Sequence, residues 1–102
     1  MMLCYQVMEL DRNGYELRSF GGDRGSSTTD QLNWPWYIIV DQLTDDYFIA
    51  DRNNRRVLQL HSDLRSTGVV IDSPQGPSRL CLAATDKLLI AESNGINIFT
   101  LR

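Results

Sequence analysis

The sequence is expected to fold as an all-β protein, on three observations. Short runs of β-branched, aromatic and aliphatic residues recur along its whole length, each about as long as a strand. Turn-forming pairs and triplets separate them: Asn-Gly, Asp-Asp, Asn-Asn, Ser-Asp, Pro-Gln-Gly and Thr-Asp. No window sustains the apolar period of a helix.

Taken in order, "YQVMEL" and "GYELRSF" alternate in polarity and flank Asn13-Gly14, as two half-buried strands joined by a tight turn do. Residues 21–33, "GGDRGSSTTDQLN", form the one long polar connection. "WYIIVD" follows and is too apolar to leave one face wet, which predicts a strand buried on both sides. Asp45 and Asp46 form a solvated turn into "DYFIAD", and the polar "RNN" leads into "RVLQL". "GVVID", "RLCLA", "KLLIA" and "INIFTL" complete a meander of nine short strands.

At 102 residues the chain is one small domain or a piece of a larger one. No apolar run has the length of a transmembrane helix, so no membrane partner is expected. "MMLCYQVMEL" lacks a basic n-region and reaches Glu9 without a sustained apolar segment, so it is not read as a signal peptide, and a cytoplasmic location is expected. Cys4 and Cys81 are far apart in apolar contexts and are expected to be reduced and buried. His61 is the only histidine, too few for a zinc site beside two cysteines. A net charge of −3 with Lys87 as the only lysine argues against a domain built to grip phosphate, although Arg52, Arg55 and Arg56 form a local basic group.

The chain also repeats itself. "WPWYIIVDQLTDDYFIADRNNRRVLQL" lies over "GPSRLCLAATDKLLIAESNGINIFTL", with Pro35 and Pro77 standing 42 residues apart. Ile38 then meets Leu80, Val40 meets Leu82, Ile49-Ala50-Asp51 meets Ile90-Ala91-Glu92, and Val57 through Leu60 meets Ile96 through Phe99. "VMELDRNGYELRSFGG" lies over "VLQLHSDLRSTGVVID", so that Val7 matches Val57 and Leu10 matches Leu60. A period of about 40 residues with four strands is the size of a propeller blade.

Within that repeat, a proline, a strand ending in Asp41, a second strand ending in Ala50-Asp51, and then Asn54-x-Arg56 before a third strand resemble an NHL repeat. "QLNWP" and "PSRLCL" are similar to the last blades of NHL propellers in tripartite-motif proteins. The resemblance implies a partial NHL β-propeller of about two and a quarter four-stranded antiparallel blades. Residues 5–20 would supply the outer strands of a first blade, 34–72 a complete blade, and 77–102 three strands of a last one. The final copy departs from the pattern: "ESNG" replaces the Asp and shortens the turn, and Gly95 stands in place of the Arg. Two and a fraction blades would leave apolar faces and strand edges open, so the rest of a propeller or self-association is expected to complete the ring. Because the chain begins mid-blade while "IFTLR" resembles a family C-terminus, it is expected to be a piece of a longer protein.

The corner chemistry explains most residue types without a ligand. Asp51 is expected to cap backbone N–H groups of the following turn, and Asn53 and Asn54 to take its positive φ angles. Arg56 is expected to set its fork against Asp51, or against Asp41 at a neighbouring strand end. Asp41, Asp51, Asn54 and Arg56 are therefore read as a structural blade corner. Arg52, Arg55 and the junction residue Trp34 remain as candidate ligand-facing residues.

No catalytic or metal-binding residues and no cofactor are expected. Asp45 and Asp46 have no histidine or second acid placed to partner them, and Asp41, Asp51 and Asp86 do not lie in a calcium-type loop. Amidating lyases carry related propellers, but they use several metal-binding histidines, and His61 alone does not supply such a site. The resemblance implies a non-catalytic platform for a protein partner. In tripartite-motif relatives the NHL region chooses the target while a separate RING domain carries ubiquitin-ligase activity. RNA is the alternative ligand, through Arg52, Arg55, Arg56 and Trp34.

Overall fold

Each of the nine runs forms a strand in the computed structural model, which describes residues 5–22, 31–65 and 67–102. They are β1 (Gln6–Leu10), β2 (Glu16–Gly21), β3 (Pro35–Val40), β4 (Tyr47–Asp51), β5 (Arg56–Leu60), β6 (Thr67–Asp72), β7 (Arg79–Ala83), β8 (Lys87–Glu92) and β9 (Gly95–Thr100). A 3-10 turn, Arg52–Asn54, joins β4 to β5. Cys4 and most of the long polar connection lie outside the described residues.

Within each sheet, consecutive strands pair antiparallel. The first sheet is β1-β2, the second β3-β4-β5-β6 and the third β7-β8-β9. Local chemistry makes the hairpins. Between β1 and β2 the Asp11 carboxylate accepts the N–H groups of Asn13 at 2.8 Å and Tyr15 at 3.0 Å. Gly14 takes the φ of +90° that this turn requires. A register shift between Leu58 and Leu60 lets Gln59 accept the Val69 N–H at 3.0 Å, so a side chain stands in for a ladder acceptor.

The second sheet is covered on both faces. Side chains alternate along a strand, so Ile49, Leu58 and Leu60 pack with Val7 and Phe20 of the first sheet, while Phe48, Ala50 and Val57 pack with Leu80, Leu88 and Ile90 of the third. β3 meets the both-sides-buried expectation only at its centre. Ile38 joins one cluster and Tyr37 and Ile39 the other, while Trp36 and Val40 are exposed. β3 lies beside β7, so the first strands of the second and third sheets are neighbours.

Cys81 is exposed, against the expectation that it is buried. Leu80 and Leu82 turn toward the second sheet, and strand alternation then forces Cys81 outward whatever its own burial tendency. No helix among the described residues is long and apolar enough to cross a membrane.

Candidate functional site

The β4–β5 corner is built around one carboxylate. Asp51 ends β4, fully buried. Its Oδ2 accepts Arg56 Nε at 2.7 Å and Asn54 Nδ2 at 2.9 Å. Its Oδ1 accepts the backbone N–H of Asn33 at 2.8 Å. The second arm of Arg56 donates from Nη2 to the Gln31 carbonyl at 2.7 Å. A buried ion pair of this kind is sustained by the extra hydrogen bonds that satisfy its remaining donors and lone pairs. Here those bonds also tie the segment leading into β3, at Gln31 and Asn33, to the corner.

Three corner expectations are corrected. Asp51 does not cap the backbone of the following turn: its Oδ2 takes the side chains of Asn54 and Arg56, and its Oδ1 takes the upstream Asn33 N–H instead. The positive φ falls on Arg55, at 53°, rather than on Asn53 or Asn54. Arg55 closes the 3-10 turn by donating its N–H to the Arg52 carbonyl at 3.0 Å, and its own carbonyl accepts the Ser73 N–H at 2.9 Å. Asp41, finally, is not part of this corner. Pro35 pairs with Asp51 and Val40 with Tyr47, so the end of β3 lies at the opposite end of the sheet from the end of β4. There buried Asp41 accepts the Leu43 N–H at 3.0 Å and pairs with the guanidinium of Arg102, linking the second sheet to the end of the third.

The three candidate ligand-facing residues border the Asp51 corner. Arg52 lies in the 3-10 turn with its guanidinium carbon 5.1 Å from the centre of the Trp36 ring. Trp36 is half exposed at the start of β3, and Trp34 precedes it with a φ of 63° and a partly exposed ring. The Asn53 N–H donates to the Asn33 carbonyl at 3.1 Å, holding the Trp34-bearing segment against the turn that carries Arg52. Arg55 is exposed on the same turn. Trp36 was missed as an accessible residue because its strand reads as continuously apolar. It stands at the register irregularity between Pro35 and Tyr37, where no β4 residue opposes it, and no local pattern in the sequence marks that irregularity.

Asp46 does have a histidine partner, contrary to expectation. Tyr47 pairs with Leu60, which brings Asp46 opposite His61 one step further out, with Nδ1 and Oδ2 3.3 Å apart. Gln59 Nε2 donates to the same carboxylate oxygen at 3.0 Å. No group of three or more His, Cys, Asp or Glu among the described residues is arranged to hold a metal ion. Two clefts open away from the tryptophans. One, of about 300 Å³, lies between β1 and β3 and is lined by Met8, Leu10, Ile38 and Tyr47. The other, of about 440 Å³, lies between the β3–β4 and β7–β8 turns beside Asp41 and Leu82.

The corner has a counterpart in the third sheet. Glu92 stands where Asp51 stands, and its Oε2 accepts the Gln75 N–H at 3.0 Å and the Ser73 hydroxyl at 2.8 Å. Asn33 lies two residues before Pro35, and Gln75 two residues before Pro77. Asn97 donates to the other oxygen of Glu92, a neutral amide in place of the guanidinium. Glu92 therefore makes a lead-in contact like that of Asp51 without the buried ion pair and without the arginine bond to the lead-in carbonyl. No protein-family model matches the chain, and no curated protein does.

Proposed function

We propose that the chain is part of an NHL-type β-propeller and acts as a non-catalytic platform that recognises a protein partner through the Trp34, Trp36, Arg52 and Arg55 surface. The observation that carries the reading is the repeated lead-in contact, Asn33 to Asp51 and Gln75 to Glu92, in sheets that stack in chain order. It gives successive sheets the same internal anchor, as blades of one propeller have. The side-by-side placement of β3 and β7 fits first strands gathered near a common axis. By its resemblance to tripartite-motif proteins, the platform would select substrates for a ubiquitin ligase whose catalytic domain lies elsewhere.

The surface has the composition of a recognition patch. Tryptophan and arginine are the residues in which binding energy concentrates, and the backbone contacts beneath them hold both in place before a partner arrives. RNA is the second reading, and the stacking of Arg52 on an exposed indole favours it, since the same arrangement accepts a nucleobase. Proximity labelling with the wild-type chain and with Trp36→Ala/Arg52→Glu tests both. The reading expects a set of captured proteins that the double variant loses and that RNase treatment leaves unchanged. Captures identical for the two forms would overturn it, and RNase-sensitive capture would favour RNA.

A further inference from the structure

The outward face of the third sheet carries a surface that the second sheet keeps covered. Antiparallel register sets Cys81, Leu89 and Ile98 in one row across the sheet and Arg79, Ala91 and Ile96 in the next. Their chain neighbours Leu80, Leu88 and Ile90 face the second sheet, so alternation turns both rows away from it. In the repeat, Leu89, Ala91 and Ile96 stand where Phe48, Ala50 and Val57 stand in the second sheet. Those three are at most 1% exposed beneath the third sheet, whereas Ile96 is 65% and Ile98 67% exposed.

The stacking is also directional. Ile49 and Leu60 of the second sheet cover Val7 and Phe20 of the first, and their repeat equivalents Ile90 and Phe99 pack in the cluster with Phe48 and Val57 of the second. Each sheet thus lays its rear face on the forward face of the sheet before it. The third sheet has an open forward face. The first has an open rear face: Ser19, which alternates with buried Phe20, is exposed, and Leu17, at the register irregularity beside Arg18, is 58% exposed. Charges are opposite in sign as well: exposed Arg79 lies on the third sheet's outward face, with Lys87, which already pairs with Asp86. On β2, Glu16 is exposed while Arg18 is taken up by Glu9 at 2.7 Å.

We infer that the outward face of the third sheet docks the first sheet of a second copy of this chain, in a head-to-tail contact that continues the internal stack. The inference rests on reading the sheets as repeats, and it does not depend on what the Trp36 surface binds. A heterologous contact of this kind propagates until it closes into a ring or is blocked.

Sedimentation velocity on the full chain tests it. Wild-type protein should gain mass with concentration across the micromolar range. Ile98→Lys and Leu17→Lys should each remain monomeric, with unchanged circular dichroism and melting midpoint because both side chains are exposed. Ile96→Lys serves as an independent variant of the same face. An equimolar mixture of Ile98→Lys and Leu17→Lys should regain a particle of twofold monomer mass, since each supplies the intact half the other lacks. Alkylation of Cys81, followed by peptide mass spectrometry, should slow in the associated wild type. A folded wild type that stays monomeric, a Leu17→Lys chain that still associates, or a mixture that stays monomeric would overturn the docking. A folded, cooperative monomer would leave the recognition platform standing.

Discussion

The backbone N–H of Asn33 lies 2.8 Å from Oδ1 of Asp51, 18 residues further along the chain. That bond joins the segment leading into β3 to the far end of β4, and the paired strands lock it from both sides. Arg56 closes the arrangement by reaching from β5 to Asp51 and on to the Gln31 carbonyl. The Trp34–Trp36 segment is therefore fixed by buried polar contacts beneath it, which is why two tryptophans can stand partly exposed at a defined place.

Removing the carboxylate should be severe. Asp51→Ala leaves Arg56 buried without its counter-charge, which costs about 3–5 kcal/mol. Glu92→Ala removes the equivalent contact from a half-exposed site with neutral partners and should cost about 1 kcal/mol. Urea unfolding of the two variants checks the contrast. Similar midpoints would mean that burial does not set the strength of the corner.

Phe48 and Ile49 are neighbours in β4 that point to opposite clusters. Both are buried, so truncating either should hurt: about 3–5 kcal/mol for Phe48→Ala and about 2–5 kcal/mol for Ile49→Ala. A sheet with one wet face would lose stability at only one of them. Thermal melts of the pair therefore test the three-layer stack directly.

The strands were legible because turn chemistry and apolar runs are local properties. Each run from "YQVMEL" to "INIFTL" could be placed from its own residues and its flanking Asn, Asp, Gly and Pro. What escaped was everything set by partners distant in sequence. Asp51 looks like a cap for the next turn, and only the β3–β4 pairing shows that the Asn33 N–H comes within its reach. Asp46 and His61 meet because β4 and β5 pair Tyr47 with Leu60, which no spacing rule reveals. Asn54 looks like the residue to take a left-handed conformation, but its amide is committed to Asp51, and the duty passes to Arg55. Cys81 follows its strand's alternation rather than its own preference. Glu92 looked like a lost Asp, yet its longer arm reaches the same lead-in position.

Two glycines with similar backbone angles should respond differently to a methyl group. Gly14 has a φ of +90° and open space around it, so Gly14→Ala meets only the backbone penalty, about 1–2 kcal/mol. Gly21 has a φ of +100°, and a Cβ there would collide with the Tyr5 carbonyl oxygen. Gly21→Ala must displace backbone as well and should lower the urea midpoint further than Gly14→Ala. Equal losses would show that β1 can move away from β2 at no cost.

Salt dependence separates the two ligand classes at the Trp36 surface. If the ligand is single-stranded RNA and Arg52 and Arg55 each neutralise one phosphate, replacing both with Glu should weaken binding and flatten the log–log salt slope by about 1.4. Trp36→Ala should weaken binding while leaving that slope nearly unchanged, because stacking releases no counterions. If the ligand is a protein, affinity should fall mainly through faster dissociation on Trp36→Ala, with a shallow salt dependence throughout. The cation–π contact itself is exposed and contributes only about 0.5–1 kcal/mol to folding. Trp36→Ala should accordingly melt close to wild type, so any loss of binding reports on the surface. Fluorescence titration over a range of salt concentrations, repeated for each variant, distinguishes the outcomes, and a ligand indifferent to all three substitutions would place recognition elsewhere on the chain.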